Sequence, residues 1–123
     1  MLRKLSNNSL DATLVYIRDN AETLYVCNNE PTTYLEASDT YKLATKANPT
    51  FTGPVDGDEG RRELTVNAVT DGVINANGEA RFAALVKDAT NELVAVFDLN
   101  EPRTVDGELV FTMTAHKLVI GLS

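Results

Sequence analysis

The sequence holds a single cysteine, Cys27, so no intramolecular disulfide can form and a disulfide-stapled scaffold is excluded. Cys27 reads as a small apolar residue in a strand, with a reactive free thiol or an intermolecular disulfide as the alternatives. There is also only one histidine, His116, and neither G-x-S-x-G nor H-E-x-x-H occurs. A catalytic triad or a zinc site therefore lacks its parts. His116 reads as a partly exposed strand residue. A Cys27–His116 dyad is the alternative, because the partners of a thiolate need not be close in sequence. Basic residues are scarce, 11 against 18 acidic ones, for a net charge of -7. Only Arg3-Lys4 and Arg61-Arg62 are adjacent, and nucleic-acid affinity needs clustered Lys and Arg, so nucleic acid is not an expected partner. No apolar run reaches the roughly 18 residues that span a bilayer, and no membrane partner is expected. The opening MLRKLSNNSL has a basic pair with no apolar stretch behind it, unlike a signal peptide.

What is present is an ordinary globular composition. The 123 residues are 43% hydrophobic and 24% charged, enough for one domain with its own core. The organising stretch is residues 61–99, where apolar residues recur at every second position. Turn signals interrupt it at Asp71-Gly72, Asn77-Gly78 and Ala89-Thr90-Asn91. Alternation broken by Asn-Gly and Asp-Gly predicts antiparallel hairpins, here a compact β-meander. The segments 82–86 and 93–97 are apolar on both faces, which predicts strands that are central or covered on both sides. Leu93, Ala95, Phe97 and Leu99 should share one face, with Val94 and Val96 on the other.

Residues 1–8 read as a polar N-terminal arm. Residues 9–20 read as the one convincing helix, with Ser9 as N-cap, Asp11 in the first turn, and Leu10, Leu14 and Ile17 on one apolar face. Thr23–Cys27 is a short strand ended by Pro31. Residues 32–37 suit one helical turn, and 40–46 a weak strand with Tyr41, Leu43 and Thr45 on one side. Residues 47–60, ANPTFTGPVDGDEG, are the longest turn-rich stretch and predict an acidic, mobile surface loop. Asp56, Asp58 and Glu59 there resemble part of a calcium loop, but the later bidentate Glu is missing at its proper offset. Residues 100–107 read as a connection. In 108–120 the apolar set changes parity near Ala115–Lys117, which predicts a bend where the strand crosses from one sheet to another. The fold class is therefore mainly β: an antiparallel β-sandwich of about seven or eight short strands, barrel-like, with one N-terminal helix, as a single domain over 9–123.

No carboxylate is singled out as a general acid, so neither an enzyme nor a cofactor is expected. One resemblance goes further. Residues Leu24 to Ala37 (LYVCNNEPTTYLEA), Lys46 to Arg61 (KANPTFTGPVDGDEGR), Thr65 to Gly72 (TVNAVTDG), Ala84 to Asp88 and Leu93 to Val96 follow one another in an order that resembles small virion structural proteins of tailed bacteriophages. The resemblance covers about residues 9 to 120. It implies a non-enzymatic β-sandwich assembled in the host cytoplasm and carried on the virion as a capsid decoration (cement) protein. Its partner would be the major capsid protein or another virion protein, and it would form a homo-oligomer at a local symmetry axis. A tail, collar or fibre attachment or receptor-binding module is the alternative. The arm and the 47–60 loop are the segments expected to reach neighbours, which makes Leu2, Arg3, Lys4, Phe51, Asp56, Asp58 and Glu59 the candidate partner-contact residues.

Overall fold

The computed structural model describes residues 7–56, 61–105 and 110–120. Arm residues Leu2, Arg3 and Lys4, loop residues Asp58 and Glu59, and the side chains of Ser9, Leu10 and Asp11 lie outside what is described.

The first strand, β1 (Thr23–Cys27), shows how the chain is built. Leu24 and Val26 enter a core between two sheets, while Tyr25 and Cys27 face the opposite side of the same sheet. A strand buried on both faces needs a neighbour on each edge. The structure supplies β2 (Lys42–Ala47) on one side and β6 (Gly78–Lys87) on the other. Beyond them lie β5 (Val69–Ile74), β7 (Glu92–Val105) and β8 (Val110–Met113), giving a six-stranded antiparallel sheet of order β7-β6-β1-β2-β5-β8. A second sheet of three strands has the order β3-β4-β9, with β3 at Phe51–Asp56, β4 at Arg62–Val66 and β9 at His116–Ile120. The fold is thus mainly β, antiparallel and sandwich-like, with one main helix at its N-terminal end. Nine strands are present among the described residues, against seven or eight expected.

Helix α1 (Asn7–Asn20) buries Leu14 and Ile17 and touches β3, β4 and β9 of the small sheet as well as β6 and β7 of the large one. It therefore plugs one side of the sandwich, and it starts two residues before the expected cap. Arg18 fixes its C-terminal end by donating to the Gly53 carbonyl at 3.1 Å.

Several expectations are corrected. Residues 61–99 are not a meander: β4 belongs to the small sheet, and β1 and β2 lie between β5 and β6. Of the three turn signals only Ala89-Thr90-Asn91 closes a hairpin, through a 3₁₀ turn at Asp88–Thr90 and Asn91 in the left-handed region (φ 54°). Asn77-Gly78 leads from β5 to β6 across two intervening strands. Asp71-Gly72 lies inside β5, because Gly72 answers a close approach: a Cβ there would stand 3.1 Å from both the Cβ and the carbonyl oxygen of Phe111.

The segment 47–60 is not all loop. Phe51–Asp56 forms β3, an outer strand, where a proline is tolerated because one edge has no ladder to break. Residues 100–105 are not a connection but the continuation of β7. The helical turn expected at 32–37 begins at Tyr34 and runs on as a π-helical turn over Glu36–Thr40. In β2 the extra residue is Leu43, bulged opposite Val26-Cys27, so Leu43 and Ala44 both enter the inter-sheet core. A second irregularity, opposite Leu85-Val86, sends Leu93 and Val96 outward and Val94, Ala95, Phe97 and Leu99 inward. β7 is an edge strand rather than a central one. The parity change near Ala115 is the crossing expected: the chain leaves the large sheet after Met113 and enters the small sheet at His116.

Candidate functional site

Two of the expected contact residues lie among those described. Phe51 opens β3 half-buried against the inter-sheet core, next to Val66 on β4. Asp56 ends the same strand, exposed, with the Arg62 guanidinium donating to its carboxylate.

The exposed apolar side chains form a pattern. On the outer face of the small sheet, Val55 and Val119 are 47% and 52% exposed, and both stand opposite Glu63 of β4. They shelter Glu63, whose side chain is only 16% exposed and meets Lys117 Nζ at 3.5 Å. On the outer face of the large sheet, Val73 and Val110 are direct cross-strand partners, both exposed. Leu35, 62% exposed, precedes the π turn. Valine suits strands, so the strand propensity of these positions needs no partner; their exposure, two flanking Glu63 and two facing each other, is what leaves apolar surface open to one.

Beside the π turn is a polar cluster that sequence reading missed. Asp88, at the β6–β7 turn, accepts hydrogen bonds from Thr23 Oγ1, from the Tyr34 hydroxyl at 2.7 Å and from the Tyr25 hydroxyl at 3.4 Å. These three donors come from distant parts of the chain, so no local spacing announces them. Burial, and then the charge of Asp88, push the Tyr25 phenol up to about 12. The hydrogen bond to Asp88 also raises Tyr34. Lys42 Nζ lies 5.9 Å from the Tyr25 ring centroid, a cation–π distance. Under this cluster Cys27 is fully buried, its Sγ 3.7 Å from the Ala37 carbonyl, and burial raises its thiol to about 12. A thiol held neutral is a poor nucleophile.

Cys27 and His116 do not meet. Cys27 belongs to the cluster on the outer face of the large sheet, whereas His116 stacks on Phe97 of the inter-sheet core, ring centroids 4.4 Å apart. The sheet lies between them, which removes the dyad. Burial lowers the His116 pKa, partly offset by the charge of Asp98. Among the described residues no three His, Cys, Asp or Glu side chains converge on a point that would hold a metal ion. Among the same residues no helix is long and apolar enough to cross a membrane.

His116 also borders a cavity of about 330 Å³ at the place where the chain changes sheets. Its walls include Phe97 and Leu99 of β7 and Phe111 to Met113 of β8, the two outer strands of the large sheet. In a flat six-stranded sheet those strands would stand about 24 Å apart. Sharing so small a cavity requires the large sheet to curl until its edges approach. Nothing in the local sequence marks the cavity except the parity change and the lone histidine.

No family model, no curated protein and no solved structure matches this chain.

Proposed function

We propose that this chain is a non-enzymatic structural protein of a virion, a decoration protein that binds the outer surface of a phage head and stabilises it. The observation that supports protein docking is the set of exposed valines, Val55 and Val119 flanking Glu63 on one sheet and Val73 facing Val110 on the other, on a β-framework of net charge -7. The resemblance of Leu24–Ala37 and Lys46–Arg61 to small phage virion proteins supplies the address. A decoration protein binds the assembled shell and not its separated subunits, so mass action stabilises the shell. Many weak copies bridging neighbouring subunits add up multivalently, and copies around a local symmetry axis form a cyclic oligomer.

The test is co-sedimentation of the purified full chain with undecorated phage heads and, separately, with tails. Saturable binding to heads, lost at least tenfold in a Val55→Asp/Val119→Asp double variant that keeps its unfolding midpoint, is the expected result. Binding to tails alone moves the protein to an attachment module, and no binding to either overturns the virion assignment. Removing residues 1–8 is expected to lower head occupancy as well.

A further inference from the structure

The cavity at the seam of the curled sheet is built on a gradient. Its floor is apolar and closed: Val69, Phe97, Leu99 and Phe111 are each less than a tenth exposed. Its mouth is polar and open, formed by Thr112 and Thr114, both exposed, and half-buried His116. Phe97 of the floor and His116 of the mouth are stacked on each other, so aromatic side chains link floor and mouth along one wall.

Size and charge narrow the ligand. An apolar cavity of about 150 Å³ lined by aliphatic and aromatic side chains takes up benzene. At about 330 Å³ this one has room for two fused rings, or a ring with a short chain. The described lining residues include no Lys, Arg, Asp or Glu. Among these described residues a carboxylate or phosphate would meet no counter-charge and would lie near Asp98, while an ammonium would meet an anion only in Asp98, outside the lining. Burial also keeps His116 in its neutral form near pH 7, able to share a hydrogen bond but not to attract an anion. Pockets of this kind recur at the mouths of curled and closed β-sheets.

We propose that the seam between β7 and β8 is a binding site for a small, uncharged, ring-containing amphiphile, its rings on the Phe97–Phe111 floor and its hydroxyl or amide at Thr112 and His116. This site is separate from the exposed valines and does not depend on the virion reading.

The full chain has two methionines, and Met113 lines the cavity, so its methyl group is a local reporter by nuclear magnetic resonance. The probes are 2-naphthol, neutral at pH 7, and 2-naphthoate, the anion of the same shape. The expected result is a saturable shift of the Met113 methyl with 2-naphthol and at least tenfold weaker binding of 2-naphthoate. An Ala68→Trp variant, placed on the exposed link beside the mouth, is expected to weaken 2-naphthol at least tenfold. No saturable shift, equal binding of the two probes, or undiminished binding by a folded Ala68→Trp chain overturns the proposal. The probe comparison decides it even if that variant does not fold.

Discussion

Cys27 shows how one side chain couples to its surroundings. Its thiol is held protonated by burial, with a folded-state pKa raised from an ordinary 9.0 to about 12. A raised pKa means that the folded chain binds this proton more tightly than the unfolded chain. The resulting stability is present below pH 9 and is lost as pH rises from 9 toward 12. Tyr25, raised from 10.0 to about 12, acts in the same sense over the upper part of that window. Urea unfolding between pH 8 and 12 should therefore show falling stability, with a visibly shallower fall in Cys27→Ala. Phe111 gives a second test at this scale, being 1% exposed and in contact range of Gly72. Phe111→Ala should cost about 3–5 kcal/mol in urea unfolding, as expected for a fully buried aromatic residue. Gly72→Ala should cost about 1–3 kcal/mol, because the added methyl meets the backbone of β8 rather than a flexible side-chain end. Phe82, half-buried on the outer face, should lose less than Phe111 on truncation.

Among the elements, the polar cluster at the β6–β7 turn does most to tie separate pieces together. Asp88 holds Tyr34, and through it the π turn, down over Cys27. Tyr34→Phe removes one bond to an ionised acceptor and should cost about 1.5–3 kcal/mol. The same variant should speed modification of Cys27 by a thiol reagent, since the turn covering it loses its tether; an unchanged rate would show that Asp88 does not hold the turn. Elements also show what the sequence discloses. Helix α1, the turn at 89–91 and the strand switch near Ala115 were legible because each is written in adjacent residues: an apolar stripe, a left-handed Asn, a change of parity. Strand β3 was hidden because Gly53 and Pro54 look like breakers, and only its outer position in a sheet makes them tolerable. The faces of β2 and β7 were misjudged where single bulged residues shift the alternation, and a bulge is set by the partner strand rather than by its own residues. The cavity and the Asp88 cluster were illegible for the same reason: each joins residues that only the tertiary fold brings together.

At the scale of the whole molecule, the chain changes sheets three times, between β2 and β3, β4 and β5, and β8 and β9. Neither sheet is a contiguous piece of sequence. The central strand β1 completes its pairing only with β6, Thr23 against Val86. Such non-local pairing places refolding in roughly the millisecond-to-second range, which stopped-flow fluorescence of the tyrosines would measure. It also has a consequence for the chain as it is made. While the first 75 or so residues emerge from a ribosome, β1 has one open edge and α1 has neither β6 nor β7 to rest on. Translation must pass β8 before the large sheet can close, so protease resistance of stalled nascent chains should appear late and in a single step. The interval before that step, with an apolar strand edge uncovered, is when the nascent protein is most exposed to chaperones and to its own neighbours.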